Sequence, residues 1–136
     1  MKFTVYQIAK KLNISRSNLQ QYLDRGFIKP SISRARGKGT RNYFSLEDIY
    51  RIRIFQRLAQ IGFSQSEAAE YSQTLDLSRL GKKGINWIKI TYENGKSKVT
   101  HTHIGRIQLE ISRGKPIVTV INYLKIKEEI DALFLQ

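Results

Sequence analysis

The sequence predicts an α+β fold, with helices in the first part of the chain and strands in the second part. Residues 4–75 show apolar spacings of three and four residues, interrupted by helix-capping signals. Residues 85–123 are rich in β-branched and aromatic residues and contain hairpin signals. The end of the chain returns to helical spacing and places Ile126, Ile130 and Leu133 on one face.

Two short helices joined by a tight turn open the chain. Thr4 and Gln7 have the spacing of a capping box, and Ser15 caps a second helix that ends before Gly26. The buried face of the second helix is expected to hold Leu19, Tyr22 and Leu23. This arrangement predicts a helix-turn-helix.

A basic hairpin follows the helix-turn-helix. The segment S-I-S-R-A faces T-R-N-Y-F across R-G-K-G, and Gly37 and Gly39 supply the positive φ angles that a tight turn needs. The pattern predicts a two-stranded ribbon with a cationic tip. Ser45 then caps a third helix that ends at Gly62, and Ser64 with Glu67 opens a fourth.

The second half of the chain reads as strands after a short connection, L-G-K-K-G. We expect strands at residues 85–92, 97–103, 105–112 and 116–123, with turns at E-N-G-K and S-R-G-K-P. The domains predicted are residues 1–80, a winged-helix DNA-binding domain, and residues 81–136, a β-rich dimerisation or effector module with a C-terminal helix.

Positive charge is the strongest signal in the composition. The chain carries 24 Lys and Arg against 11 Asp and Glu, a net charge of +13, and residues 1–60 hold 13 of the cations and 3 of the acids. This asymmetry predicts that the N-terminal part neutralises phosphates. With no Cys, no signal-like start and no apolar run of about 18 residues, we expect a cytoplasmic protein without a membrane span.

The N-terminal half resembles the DNA-binding domain of the MerR family of transcriptional regulators. The resemblance rests on an aromatic-Thr-Val start, on L-Q-Q-Y-L-D-R-G-F-I-K-P, on R-N-Y at the end of the hairpin, on S-L-E-D and on I-G-F-S. Gln20, Gln21 and Leu23 depart from the family pattern in the second helix. The β-rich second half also departs from the long coiled-coil helix that family members usually carry.

We predict a homodimer on palindromic double-stranded DNA, because one short helix makes few base contacts and a two-fold pair doubles them. The resemblance adds RNA polymerase at the promoter as a further partner. The exposed polar residues of the second helix are the predicted base readers, because such side chains reach base edges in the major groove: Arg16, Ser17, Gln20 and Gln21, with Asn18 at the rim. The hairpin residues Arg36, Lys38 and Arg41 are predicted to bind phosphates. Tyr43 contacts phosphate or sugar, or else packs on the third helix. At most one or two of Arg51, Arg53 and Arg57 are expected near DNA.

Three other functions fit parts of the pattern: an excisionase-like or architectural DNA-binding factor, an RNA-binding protein, and a ligand-binding module. No catalytic constellation is apparent, so we predict no enzyme and no cofactor. His101 and His103 would share one face of a strand, but without a third ligand we predict no metal site. Trp87 and Tyr92 line either an effector pocket or the core, and the sequence names no effector.

Overall fold

The structure, a computed structural model, describes residues 1–136 and divides them into two units. The N-terminal unit comprises Met1–Gln73 and Glu129–Gln136, and the C-terminal unit comprises Thr74–Glu128. Helices and small antiparallel sheets occur together, which confirms the predicted α+β class. No helix combines the length and the apolar character needed to cross a bilayer.

The N-terminal unit follows the predicted order of helices. Its elements are β1 (Phe3–Thr4), α1 (Val5–Leu12), α2 (Arg16–Asp24), β2 (Tyr43–Phe44), α3 (Leu46–Gln60) and α4 (Gln65–Thr74). The predicted caps are confirmed: the Gln7 amide donates to Thr4 Oγ1, and the Asn18 amide donates to Ser15 Oγ. These bonds satisfy backbone donors that each helix start would otherwise leave unpaired.

Buried aliphatic and aromatic side chains hold the N-terminal unit together. Tyr22 and Phe27 pack their rings on Phe55, with centroid distances of 5.0 and 5.9 Å. The turn that follows α2 is fixed from α4, because Gln73 Nε2 donates to the carbonyl oxygens of Gly26 and Phe27 at 2.9 and 2.8 Å. The largest fully buried side chains of this core are Ile8, Leu19, Phe44, Ile49, Ile52, Ile54, Phe55, Leu58 and Ile130.

The last helix, α6 (Tyr123–Phe134), begins in the C-terminal unit, and its residues from Glu129 onward belong to the N-terminal unit. In that unit Phe134 packs edge-on against Phe3 at 5.2 Å, and Lys11 Nζ donates to the carbonyl oxygen of Leu133 at 2.7 Å. Ile130 is buried as expected, but Leu133 is 37% exposed and Phe134 takes the buried position instead. The larger ring fills the space beside Phe3.

The C-terminal unit is built on a three-stranded antiparallel sheet. Its elements are β3 (Trp87–Glu93), β4 (Lys96–Thr102), α5 (Ile104–Ser112) and β5 (Ile117–Asn122), and the strand order is β4-β3-β5. The E-N-G-K hairpin is confirmed: Asn94 and Gly95 adopt φ angles of 52° and 75°. A β-bulge interrupts the β3–β5 pairing at Ile90/Thr91 and leaves regular pairing over Thr119–Asn122.

The strand predicted at residues 105–112 is wrong, because these residues form α5. The run I-Q-L-E-I alternates apolar and polar residues like a strand, but α5 turns Ile107 and Glu110 inward and leaves Leu109 and Ile111 exposed. The topology explains the helix. Both β4 and β5 are antiparallel to β3, so they run in the same direction on its two sides, and the chain must cross back over the sheet to connect them.

A buried ion pair joins β3 to α5. Lys89 Nζ lies 2.6 Å from Glu110 Oε2, and Arg106 Nε lies 3.0 Å from Glu110 Oε1. The hydrogen bond from Lys89 is the main cause that holds the pKa of Glu110 below its usual value, with Arg106 adding to it against the effect of burial. The buried carboxylate therefore stays ionised and paired.

The two histidines do not share a strand face. β4 ends at Thr102, and His103 is the N-cap residue of α5, because the chain turns there to begin its crossover. His101 stays in β4, with its Nε2 atom buried. Of the two aromatics considered for a pocket, Trp87 is half-buried and Tyr92 is exposed.

Candidate nucleic-acid interface

Helix α2 presents one polar face because its other face is fixed in the core. Leu19 and Leu23 are buried, and the cap at Ser15 sets the start of the helix. This orientation leaves five predicted contact residues exposed: Arg16, Ser17, Asn18, Gln20 and Gln21. Leu23 fills a core position, which accounts physically for the apolar side chain there.

Two of these exposed side chains already have partners within the protein. The guanidinium of Arg16 lies 5.7 Å from the ring centroid of Tyr6, and Gln20 Nε2 donates to Asp24 Oδ1 at 3.0 Å. Both contacts are at the surface, where such interactions are worth about 1 kcal/mol or less. A base or phosphate contact can therefore replace either of them at little cost in free energy.

The wing, residues 31–43, is less regular than predicted. Instead of a two-stranded ribbon, it has a single antiparallel bridge between Ser33 and Tyr43, and Tyr43–Phe44 pairs with Phe3–Thr4. Beyond Ser33 the backbone amides of Ala35 and Arg36 bond to the side chains of Asn42 and Thr40 and not to an opposite strand. At the base, Asp48 accepts hydrogen bonds from the amides of Ser31 and Ser45, which joins the wing to the start of α3.

Side chains rather than strand pairs order the tip of the wing. Asn42 Oδ1 accepts from the Ala35 amide at 2.9 Å, and Thr40 Oγ1 accepts from the Arg36 amide at 2.6 Å while donating to the Gly37 carbonyl at 2.7 Å. Gly37 and Gly39 take φ angles of 105° and 83°, as the sequence predicted. The tip is thus a defined loop.

The cations of the wing are free of internal partners. The side chains of Arg36, Lys38 and Arg41 are exposed, and none of them forms an ion pair within the chain. Tyr43 is half-buried, and the ammonium of Lys2 lies 4.3 Å from its ring centroid. The wing therefore presents uncompensated positive charge to solvent.

A groove of about 590 Å³ runs between α2 and the wing. It brings together three of the predicted contact residues, Arg16, Gln20 and Arg41, and its remaining walls are Thr4, Val5, Tyr6, Ala35, Thr40 and Asn42. A second cavity of about 560 Å³, on the wing, is lined in part by Arg36, Arg41 and Tyr43. Ser17, Asn18, Gln21 and Lys38 line neither cavity.

The arginines of α3 are engaged within the protein. Arg53 and Arg57 both pair with Glu129, and Arg51 NH1 donates to the carbonyl oxygen of Ser72 at 2.8 Å. Burial acts to raise the pKa of Glu129, but the hydrogen bond and charge of Arg53, with those of Arg57, outweigh it and hold this pKa below its usual value. These contacts account for the α3 arginines without DNA.

Four residues of this region were not predicted from the sequence: Lys2, Tyr6, Thr40 and Asn42. Tyr6 is 56% exposed, on the opposite side of α1 from the buried Ile8, Ala9 and Leu12. An aromatic residue on the solvent side of a first helical turn is the signal that could have indicated it. Thr40 and Asn42 act through loop geometry, for which spacing gives no signal.

No group of three or more His, Asp and Glu side chains is placed to hold a metal ion.

A chain comparison with curated proteins gives no match. A profile of the family described as MerR HTH family regulatory protein matches residues 3–75, more than half of the chain, and its span includes α1, α2, the wing, α3 and α4. That family comprises DNA-binding regulators rather than enzymes. The chain is therefore a member of the MerR helix-turn-helix family of DNA-binding regulatory proteins.

Proposed function

We propose that this chain is a sequence-specific, double-stranded DNA-binding regulator of transcription that acts as a homodimer on a palindromic site. The observation that carries the proposal is the groove in which Arg16 and Gln20 of α2 face Arg41 of the wing. A helix that enters the major groove beside a cationic loop contacts base edges and backbone together.

Each element has a separate task in this proposal. On α2, Arg16 pairs with guanine, Gln20 and Gln21 pair with adenine, and Ser17 contacts a base edge. Asn18, at the rim, contacts a base or a phosphate. On the wing, Arg36, Lys38 and Arg41 neutralise phosphates, and Tyr43 contacts a phosphate or sugar. Phosphate contacts fix orientation and set the salt dependence, whereas base contacts select sequence.

Dimerisation follows from the small size of the reading surface. Helix α2 has nine residues, and five of them are available to DNA. Two copies related by a two-fold axis double the contacts on a palindrome whose half-sites lie one helical turn, roughly 34–36 Å, apart. We propose residues 1–80 as the DNA-binding domain and residues 81–136 as the module that joins the copies or senses an effector, with RNA polymerase at the promoter as a partner.

The proposal is tested by selecting bound sites from a random duplex pool while the mass of the protein is measured in solution. An enriched inverted repeat together with a dimeric mass supports it. Enrichment of one half-site with a monomeric mass would retain sequence specificity and contradict the dimer. Salt-sensitive binding without enrichment would contradict specificity, and stronger competition by structured RNA than by duplex DNA would move the target to RNA.

An architectural factor is separated from a regulator by a second assay. Transcription in vitro from a template that carries the selected site should change when the protein is added. DNA bending with no change in transcript yield would indicate an excisionase-like or architectural role. The control template carries the same sequence with one half-site scrambled.

A further inference from the structure

The two edges of the C-terminal sheet differ in how they are protected. Strand β4 has the sequence K-S-K-V-T-H-T, with exposed Lys96 and Lys98. Strand β5, at the other edge, has the sequence I-V-T-V-I-N and carries no charge. Natural proteins block free sheet edges with lysines, because an uncharged edge pairs with another strand. One edge of this sheet is therefore blocked and the other is open.

The side chains of β5 are suited to strand pairing. Its first five residues are all β-branched, and Val118 and Val120 are 53% and 37% exposed. Strand β3 is its one neighbour in the sheet, so the backbone groups on its outer side have no strand partner. The bulge at Ile90/Thr91 leaves Thr119–Asn122 as the regular part of the edge.

Charge limits where a second copy of this chain can dock on the C-terminal unit. The C-terminal unit holds 11 Lys and Arg against 4 Asp and Glu, a net charge of +7, so two copies repel each other wherever charged surfaces meet. An uncharged strand removes that repulsion from the contact. Antiparallel pairing of a strand with its own copy is also self-complementary about a two-fold axis.

We infer that β5 is the dimer interface: β5 of one chain pairs antiparallel with β5 of a second copy, and the two three-stranded sheets become one continuous sheet. This inference rests on the proposed homodimer and assigns the surface that forms it. An interface built on a six-residue strand falls below the roughly 1,200 Å² of a standard complex, so the free dimer is weak. Two half-sites on one DNA strengthen it through effective concentration.

Salt separates this interface from one held by ion pairs. Added salt screens the repulsion between two positively charged copies, and it leaves the hydrogen bonds and apolar contacts of an uncharged edge in place. Dimerisation measured by sedimentation should therefore strengthen, or stay constant, between 50 and 500 mM salt. A dimer that dissociates as salt rises would overturn the inference.

Cysteine cross-linking locates the interface, because the chain has no native cysteine. Single cysteines are introduced in turn at the five positions from Val118 to Asn122, and each variant is oxidised. Opposed residues of an antiparallel pair lie about 4.5–5.5 Å apart at Cα, within the range of a disulfide. One position or two neighbouring positions, at the two-fold axis, should cross-link. Ile111→Cys, 60% exposed on α5, is the control and should not cross-link.

Charged substitutions provide the second test. Val118→Lys and Val118→Glu each place a charge on the edge, at a side chain that is 53% exposed. Both variants should be monomeric at concentrations where the wild type is dimeric. Ile111→Lys should stay dimeric, and circular dichroism should show the wild-type fold for all three.

The outcomes distinguish the interface from the proposed function. A dimeric wild type with dimeric edge variants, or with a monomeric Ile111→Lys, would overturn the β5 interface and leave the homodimer standing. A wild type that is monomeric both free and on the selected site would overturn the interface and the homodimer together. Site selection is run separately, so sequence-specific DNA binding stands or fails on its own result.

Discussion

The arginines of α3 and the cations of the wing are the same kinds of residue with different surroundings. Arg53 and Arg57 share Glu129, and Arg51 bonds to the carbonyl oxygen of Ser72. Arg36, Lys38 and Arg41 have no acidic partner. A cation that is paired at short range contributes little to the field at a distance, whereas an unpaired one attracts phosphate.

The wing and α3 differ in partner geometry more than in charge count, and the proposed DNA contact rests on the unpaired cations of the wing. Grouped by structural unit, the N-terminal unit has 13 cationic and 7 acidic residues, a net charge of +6, and the C-terminal unit is at +7. Total charge does not separate the two units. The distinction lies within the N-terminal unit, where acidic side chains pair with Arg51, Arg53 and Arg57 of α3 and none pairs with a cation of the wing.

The largest effect is expected from neutralising the cations of the wing. The triple variant Arg36→Ala, Lys38→Ala and Arg41→Ala should make the negative slope of log affinity against log salt shallower by about 2.7, at about 0.9 per phosphate contact. Between 50 and 200 mM salt the wild type should then lose about 40-fold more affinity than the variant. The measurement is a salt titration of binding to the selected site and to random DNA.

The matched control for the wing variant is Arg57→Ala on α3. Because Arg57 is paired with Glu129, its loss should leave the salt slope unchanged. An equal loss of slope in both variants would mean that α3 contacts phosphate as the wing does, and the distinction between the two regions would be wrong.

A second prediction separates base reading from backbone contact. Gln20→Ala should relax preference at one base position by about 1–3 kcal/mol while leaving binding to random DNA nearly unchanged. The measurement is competition between the selected site and its single-base variants. Gln108→Ala, at an exposed position of α5, is the control and should keep every preference. Equal weakening on all sequences would assign Gln20 to the backbone.

A third prediction concerns stability. Arg53 is 16% exposed, so Arg53→Met should lower the free energy of unfolding by about 1 kcal/mol, because the partly buried Glu129 loses one of its two partners. Urea unfolding followed by circular dichroism measures the change. Arg41→Met should change stability by less than about 0.5 kcal/mol, because its side chain is exposed. The reverse order of effects would contradict the internal role of the α3 arginines.

The smallest effect is expected from pH. The pKa of Glu129 lies below its usual 4.5 in the folded protein. When the pH lies between the lowered pKa and 4.5, the folded protein therefore binds fewer protons than the unfolded chain. This contribution is complete above pH 4.5 and is lost as the pH falls through the lowered pKa. Glu129→Gln should therefore flatten the decline of stability below pH 4.5. The measurement is the free energy of unfolding across this pH range, with Glu70→Gln as the control. If stability declines as steeply in Glu129→Gln as in the wild type, the prediction is wrong.

Local signals predicted the parts of the fold that depend on neighbouring residues. The caps at Thr4 and Ser15, the glycines of the wing and the Asn94–Gly95 turn all act within a few residues, so their spacing carries the information. The strand predicted at residues 105–112 failed because α5 is set by the crossover from β4 to β5, a property of the whole sheet. The burial of Glu110 likewise depends on Lys89, 21 residues away.

The candidate site divides in the same way. The exposed residues of α2 follow from its buried Leu19 and Leu23, so helical spacing was sufficient to predict them. The place of Tyr6 beside Arg16 depends on how α1 meets α2, and the hydrogen bonds of Thr40 depend on the path of the loop. Neither contact produces a periodic pattern in the sequence, so the sequence could not predict it.

Beyond the base of the wing, where Ser31 bonds to Asp48 and Tyr43 pairs with β1, the side-chain hydrogen bonds that order the wing close between Ser33 and Asn42. A segment whose contacts are internal can be replaced without rebuilding the core beneath it. In the proposed function, changes within these roughly ten loop residues alter the strength of DNA binding while the helices keep their packing. For protein engineering, this part of the wing can be exchanged between relatives. In the proposed function, the exchange would change the affinity for phosphate without changing the sequence preference of α2.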